Sequence, residues 1–421
     1  MYFYTFNELT QYLEQKRVLF GIELGLARIQ LAAKQLGNPE QQLKIIHFAG
    51  SNGKGSTLHY TKEMLIAQGY SVASFTTPAQ NAVYDQISMN DQTMTEDDFV
   101  AIANDVIAVI GSDNLLTEFE LITLFAFQHF ANCQPDFVLL EVGMGGQLDA
   151  TNIVTPLISV ITSISLEHTA FLGDTIQEIA MHKAGIMKRN VPVVIGEVTD
   201  DVQTIFTGIA KKLHCETYFY GEEFRAELLS TPEMVGESFL FHHRDGSVLP
   251  LQIRMLGEHQ VHNAAIAVMV CKLLAVSEQA IRRGLLLAHW PGRFEVISTN
   301  PLVMIDGAHN PAAIKTFIQT LCRKFANYRY KIVFTCFHDK DAVAMLSCLD
   351  AVADELVITE MAHERSSKAV DLYELSQSKH KRIVTNLADV VTMEIKDNEL
   401  LAIVGSLQLL QEFRRICLNI F

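Results

Sequence analysis

The stretch Ile45-Ile46-His47-Phe48-Ala49 runs directly into Gly50-Ser51-Asn52-Gly53-Lys54-Gly55-Ser56-Thr57, which concentrates the residue types that hold phosphate. An apolar run reads as a buried strand, and the glycines let backbone N–H groups close around phosphate oxygens. A helix opening at the lysine, and running to about Gln68, favours negative charge at its N-terminus. Lys54 supplies a cation, and a hydroxyl beside it can ligate the magnesium that accompanies ATP. The usual loop has a glycine five residues before its Gly-Lys pair; Phe48 stands there, so this turn is shorter. The competing reading is a strand–turn–helix junction with incidental glycines.

Four other segments carry chemistry-bearing side chains. Phe137-Val138-Leu139-Leu140-Glu141 puts a carboxylate at the end of an apolar strand, before the glycine turn Gly143-Met144-Gly145-Gly146. A buried glutamate needs a partner, and magnesium is the natural one beside a phosphate loop; the bland reading is an edge carboxylate capping a turn. The run Ile161-Thr162-Ser163 leads to Glu167-His168. A lone histidine after a strand is more often a hydrogen-bonded core residue than a ligand. Lys183 lies inside an apolar helix, where composition alone favours a lysine snorkelling to solvent. Met304-Ile305-Asp306-Gly307-Ala308-His309-Asn310-Pro311 is another strand entering a polar turn, and could present a carboxylate and an imidazole or simply cap a helix.

The elements that position these residues alternate. Strands are expected at Lys44–Ala49, Ser71–Phe75, Phe137–Val142, Leu157–Ser163 and Pro192–Gly196, with helices at Phe99–Ile110, Leu121–Ala131 and Thr175–Lys188. This is an α/β pattern: a doubly wound, mostly parallel sheet carrying an N-terminal phosphate loop. A hairpin at Phe239–His242 and Val248–Met255, turning at Arg244-Asp245-Gly246, adds a small antiparallel piece. Helices follow at His259–Leu274 and Ser277–Ala288. Trp290-Pro291-Gly292-Arg293 breaks the pattern, and a second, Rossmann-like set follows at Phe294–Ser298, Leu302–Ile305, Lys331–Thr335, Leu356–Ile358 and Leu400–Val404. Two domains are expected, 1–290 and 291–421, with ligands beyond the carboxyl ends of the strands, in a cleft between the domains.

Composition narrows the function classes. Of 421 residues, 49% are hydrophobic and 19% charged, a globular rather than disordered balance. No run of 18 apolar residues occurs and no basic leader opens the chain, which points to a cytoplasmic protein without a membrane partner. The seven cysteines are scattered and never form a C-x-x-C pair, which argues against disulfides or a zinc site. A net charge of −15 disfavours nucleic acid as a partner and puts the burden of holding an anionic nucleotide on Lys54 and Arg293.

Taken in order, these segments resemble the folylpolyglutamate synthases and dihydrofolate synthases of the Mur ligase superfamily. The matches are Ser51-Asn52-Gly53-Lys54-Gly55-Ser56, Glu141 through Asn152, Ile161-Thr162-Ser163 with His168 and Leu172-Gly173, Lys183-Ala184-Gly185-Ile186, Pro291-Gly292-Arg293-Phe294, Asp306 through Pro311, His338-Asp339-Lys340-Asp341 and Gly405-Ser406-Leu407. They span nearly the whole chain. The resemblance implies a ligase that phosphorylates a folate or pteroate carboxylate with ATP and lets the amino group of L-glutamate displace the phosphate. It implies catalytic roles for Lys54, His168, Lys183 and His309. It assigns ATP to Asn52, Gly53, Lys54, Gly55, Ser56, Thr57, Asn263, Arg293 and Asp306. Magnesium, two ions, would draw on Ser56, Thr77, Glu141, His168 and Lys183, the last as a carbamate; a monovalent cation could accompany them. The folate or pteroate side falls on Ile22, Glu23, Leu24, Phe119, Leu148, Asp149 and Ala150. A monomer is the expected state.

The chain departs from the family pattern at several points. Ala79 stands where a histidine is usual, Asp85-Gln86 replaces a Glu-Arg pair, and Gln147 replaces an arginine. Glu167 replaces aspartate and His182 a glutamate; Cys336-Phe337 lacks a glycine, and Glu364-Arg365-Ser366-Ser367 replaces a proline-arginine-alanine segment. The phosphate and metal groups are intact while cations on the substrate side are lost. Altered substrate handling follows more readily than lost ATP chemistry. Two alternatives stand beside the folate ligase: a Mur-type ligase for another acid and amino acid, and a paralogue that binds nucleotide or folate without turnover.

Overall fold

The computed structural model describes residues 1–79, 82–229, 236–289 and 291–417; Gln80, Trp290 and the side chain of Cys417 lie outside the described residues. The chain forms two compact units, one of Met1–Glu227, Leu240–Leu251 and His262–Ala288, the other of Leu228–Phe239, Gln252–Val261 and His289–Phe421.

The first unit is built on eight strands: β1 (Ile45–Ala49), β2 (Val72–Phe75), β3 (Ile87–Met89), β4 (Gln92–Thr93), β5 (Phe137–Glu141), β6 (Ile158–Ile161), β7 (Val193–Ile195) and β8 (Thr217–Phe219). Their order is β4-β3-β2-β5-β1-β6-β7-β8. From β2 to β8 every pairing is parallel; β3 and β4 add antiparallel at one edge. The central strands are buried throughout, and apolar but for His47, Ser74 and Ser159, because helices cover both faces. Those helices are α1 (Phe6–Phe20), α2 (Ala27–Gln35), α3 (Lys54–Gln68), α4 (Glu96–Ile110), α5 (Glu118–Cys133), the short α6 (Thr169–Leu172), α7 (Ile176–Ala184), α8 (Asp200–Leu213), α9 (Glu258–Leu273) and α10 (Glu278–Leu287). One face packs Leu9, Leu13, Phe99, Phe125 and Phe127 against Ala73, Phe75, Val138 and Leu140. Helix α3 is buried on nearly every side from Ser56 to Leu65, and α10 can approach it because position 284 is glycine: a Cβ there would lie 2.4 Å from Met64 Cα.

Strand β1 sits between β5 and β6, where the chain reverses its direction of travel across the sheet. Loops leaving neighbouring strands diverge at such a point and open a crevice at the carboxyl edge. The register sets Phe48 beside Glu141 and Ala49 beside Ile161, so the phosphate loop, Glu141 and the segment beginning at Thr162 leave the sheet side by side.

Strands β9 (Phe224–Leu229), β10 (Glu237–His243) and β11 (Val248–Ile253) form a separate sheet ordered β11-β10-β9. The expected hairpin is its β10–β11 pair, and β9 is an additional strand. The second unit carries β12 (Glu295–Thr299), β13 (Leu302–Asp306), β14 (Arg329–Phe334), β15 (Glu355–Ile358), β16 (Lys381–Ile383) and β17 (Glu399–Val404), ordered β12-β13-β17-β14-β15-β16. All pairs are parallel except β12 with β13. Its two faces bury separate apolar sets, one around Met304, Phe317, Ile332 and Leu349, the other around Ile305, Val357, Ile403 and Phe413.

Candidate functional site

After Ala49 the backbone turns through Gly50 and Gly53, both at positive φ (148° and 86°), and enters α3 at Lys54. Side chains at these positions would collide. A Cβ on Gly50 would lie 2.0 Å from Thr162 Oγ1, and one on Gly53 2.3 Å from Asn263 Oδ1. The loop is clasped from behind by the segment after β6. Ser51 N donates to Ser163 O (2.8 Å), Asn52 N to Ser163 Oγ (3.0 Å), and Thr162 Oγ1 and Ser163 Oγ both donate to Asn52 O (2.6 and 2.9 Å). Lys54 Nζ folds back onto Gly50 O (2.7 Å), holding its charge over the loop. Ser56 and Thr57 are buried in the first turn of α3, beside the backbone N–H groups that a helix start leaves for an anion.

Glu141 is 3% exposed and sits in the sheet interior, so the turn-capping edge reading does not apply. Its Oε2 accepts Thr77 N at 3.0 Å, which joins two of the expected metal-site residues. Lys183 does not snorkel: it is 1% exposed, and its Nζ donates to Glu167 Oε1 at 2.6 Å. The physical reason is that α7 packs this face onto the sheet, where the ammonium meets the part-buried Glu167 carboxylate. Burial pushes the lysine down to about 8; Glu167 acts the other way, and the charge of Lys54 adds to the lowering. For Glu167, burial alone would raise the carboxyl, but Lys183 and Lys54 together hold it below its ordinary value. Next to it, His168 is exposed with left-handed backbone (φ 46°) at the start of α6.

A second cluster surrounds the turn after β5. Gly143 lies against the Phe119 ring, where a Cβ would come within 2.7 Å of Cζ. Gly25 N donates to Leu148 O (3.2 Å), which brings the segment of Ile22, Glu23 and Leu24 beside Leu148. Ile22 (61%) and Leu148 (38%) leave an apolar lip exposed there. Glu23 pairs with Arg28 at 2.9 Å, and Arg28 with Glu120 at 3.2 Å. Asp149 and Ala150 are buried beneath the lip.

In the second unit, Asp306 ends β13 and does not cap the following helix, α11 (Pro311–Lys324); Asn310 does, accepting Ala313 N at 2.8 Å. The Asp306 oxygens instead accept Phe294 N (2.7 Å) and Ala308 N (2.8 Å). Burial raises this carboxyl, opposed by Arg293 and the two N–H donors. His309 Nδ1 lies 2.8 Å from Gly307 O, so that nitrogen carries the proton.

Among the described residues no three His, Cys, Asp or Glu side chains form a metal cage. Magnesium needs no such cage, because it keeps waters and takes one or two carboxylates together with substrate phosphates. Of the expected metal-site donors, Glu141 and Thr77 are joined directly, through the Thr77 N–H.

Comparison with known proteins decides the family. Residues 48–271 match the Mur ligase middle domain and residues 292–407 the Mur ligase glutamate ligase domain. A dihydrofolate synthase/folylpolyglutamate synthase of Bacillus subtilis is 33% identical, over 95% of this chain and 96% of the relative. The chain belongs to the folylpolyglutamate synthase and dihydrofolate synthase family of Mur ligases. A folylpolyglutamate synthase of Lacticaseibacillus casei is 32% identical over 93% of this chain and 94% of its own length. The structure of E. coli FolC in complex with DHPP and ADP superposes with a TM-score of 0.91 at 29% identity, covering 99% of this chain and 98% of that one. Within this Mur ligase framework, two features escaped the reading of residues alone. Glu167 registered only as a replacement, although its reach to Lys183 is the closest charged contact of the site. His47 and Thr151 lie inside motifs that give neither a role. Their contacts join positions 104 residues apart, and no local spacing announces that.

Proposed function

We propose that this Mur ligase joins L-glutamate to a dihydropteroate or folate carboxylate at the expense of ATP, through an acyl phosphate. The observation that carries the reading is the shared sheet edge: a phosphate loop with Lys54, the buried carboxylate of Glu141 and the Glu167–Lys183 pair, all in the same unit as an apolar-lipped turn that could seat a flat aromatic acid. Amide formation from a carboxylate in water is uphill, and phosphorylation turns a poor leaving oxygen into a good one. The protein's task is to align the two substrates and to neutralise charge on the moving phosphoryl group.

In this assignment Asn52 through Thr57 wrap the phosphates, Lys54 neutralises the γ-phosphoryl oxygens, and Asn263, Arg293 and Asp306 contact the rest of the nucleotide. Ser56, Thr77, Glu141 and His168 hold magnesium, which supplies charge neutralisation at the phosphates. Ile22 to Leu24, Phe119 and Leu148 to Ala150 seat the acceptor, and His309 serves the glutamate side. Lys183 is the candidate for carbamylation. The reaction with CO2 needs a neutral amine, and a group near 8 is about one-tenth neutral at pH 7. A monovalent cation, a monomeric state and a cytoplasmic setting, where scattered cysteines stay reduced, complete the proposal.

The test is a phosphate-release assay with purified protein, ATP, Mg²⁺ and L-glutamate, offering dihydropteroate and tetrahydrofolate in parallel. Acceptor-dependent release with one or both supports the reading and says which acceptor is used. Release with neither removes it.

A further inference from the structure

Beneath the turn that follows β5, a buried hydrogen-bond chain runs from Asp149 to Thr151 and His47, and the ligase chemistry assigns no role to the last two. Asp149, 3% exposed, accepts Thr151 N (3.0 Å) and Thr151 Oγ1 (2.6 Å) on Oδ1, and Met144 N (2.8 Å) on Oδ2. The Thr151 hydroxyl has one hydrogen and gives it to Asp149, so toward His47, whose Nε2 lies 2.9 Å away, its oxygen can only accept. His47 Nε2 is therefore the donor. The ring is fully buried in β1, three residues before Gly50, and its Nδ1 has no hydrogen-bond partner among the described residues. Burial, helped by the charge of Lys188, keeps the imidazole neutral, with its pKa down near 3.

An unpartnered buried nitrogen is destabilising, and an apolar side chain would fill this place at lower cost. Departures of this kind are expected where position matters more than stability. The turn that the chain anchors reaches both sides of the site. Leu148 O accepts Gly25 N on the acceptor lip. Gln147 N donates to His182 O (2.8 Å), and Asn152 Nδ2 bridges Gln147 O and Gly185 O (3.0 Å each) on the helix bearing Lys183.

We propose that His47 and Thr151 are positioning residues of the ligase, fixing the height of the 143–149 turn against the phosphate-loop strand so that acceptor carboxylate and phosphoryl group meet in register. This rests on the ligase reading. Neither side chain touches substrate; both act through Asp149 and the main chain of the turn. A displacement of about 1 Å at such a site can cost on the order of 10²-fold in rate.

The experiment compares Thr151→Val, which keeps shape and removes the hydroxyl, with Thr151→Ser, which keeps the hydroxyl. Steady-state constants are read for each substrate, with ATP affinity measured calorimetrically without acceptor and folding followed by circular dichroism in urea. Thr151→Val is expected to lower kcat/KM for the acceptor about 10–100-fold, the range for residues that orient a site from behind, while ATP affinity stays within about twofold because the loop's own clasp is untouched. Thr151→Ser is expected to recover most of that loss. Should Thr151→Val not fold, His47→Gln, which keeps an N–H donor, is read against His47→Leu by the same constants. Acceptor kcat/KM near wild type in Thr151→Val, a serine variant no better than the valine, or loss only of urea stability overturns the proposal. A wild-type protein without acceptor-dependent turnover would instead overturn the ligase reading, and this inference with it.

Discussion

Replacing Glu167 by glutamine probes the most buried charge of the site and gives a number to check. In the folded protein the Lys183 ammonium has Glu167 Oε1 at 2.6 Å, and the two side chains are 1% and 13% exposed. Breaking a buried pair by removing one partner ordinarily costs about 3–5 kcal/mol. Here the cost has a ceiling, because Lys183 can discard its proton. With the amine near 8, neutralising it at pH 7 costs about 1.4 kcal/mol, one pH unit at 1.36 kcal/mol. Adding the lost hydrogen bond, about 1 kcal/mol, puts the destabilisation of Glu167→Gln at about 1–3 kcal/mol at pH 7. The pH dependence is the sharper check. A lysine depressed from 10.5 to about 8 binds fewer protons folded than unfolded between those values. Stability therefore rises with pH through this window, and below it the full penalty is present. In the wild type Glu167 offsets part of that penalty only while the amine is charged. The difference between wild type and variant should accordingly be larger at pH 7 than at pH 9.5, where the amine is neutral in both. Equilibrium urea unfolding at the two pH values, followed by circular dichroism, measures it. A penalty of equal size at both, or none at pH 7, would refute the charge-pair account.

Three further outcomes follow from the same geometry. Lys54→Ala removes the cation held over the loop and should lower kcat on the order of 10²–10³-fold, as removal of one preorganised electrostatic donor does. Lys183→Ala should abolish turnover, and short carboxylates such as formate or acetate should restore part of it; undiminished activity without such rescue would sink the carbamate assignment. Gly53→Ala forces a side chain into left-handed backbone, at about 1–2 kcal/mol, and drives its methyl toward Asn263. Titration calorimetry should show ATP binding weakened roughly tenfold or more; unchanged affinity would mean that the loop has another shape.

The parallel strands were legible because burial on both faces makes them continuously apolar, as in Phe137–Glu141, and because their ends are marked by glycine or a polar residue. Helix α3 was legible for its start at Lys54 and its stop at Gly69. The reading Thr175–Lys188 overran, because α7 ends at Ala184 before Gly185, whose missing side chain lets Gln147 pack in at 2.3 Å from an added Cβ. Helices α1 and α2 and the short edge strands β3 and β4 were not read at all. Helix α1 does carry a local signal, the Thr5–Glu8 capping box at its start, but β3 and β4 are too short to show a period, and the hold of Asn104 on both backbone groups of Phe3 joins positions far apart in the chain, which no local pattern announces. The burial of Lys183 was illegible for the same reason: its apolar helix gives no sign of a carboxylate 16 residues upstream turned inward to meet it.

The departures from the family pattern divide on the same physical ground. Gln147 works through its main chain, donating to His182 O and accepting from Asn152, while its own side chain is exposed. His182 likewise serves the turn through its carbonyl. Exchanging these side chains leaves the scaffold's main-chain hydrogen bonds in place. Gln86 is different: it is buried, and its amide donates to Val83 O (3.3 Å) within the loop that carries it, so a charge lost there is replaced by a local structural contact. Glu167 differs again, because its longer arm makes the 2.6 Å contact that opposes the lowering of Lys183 by burial. Nothing in this set enters the hydrogen bonds of the phosphate loop or exposes Glu141, and we infer that the changes act on the acceptor and the lysine. A survey of acceptor acids at saturating ATP is therefore the place where this chain should differ from its relatives.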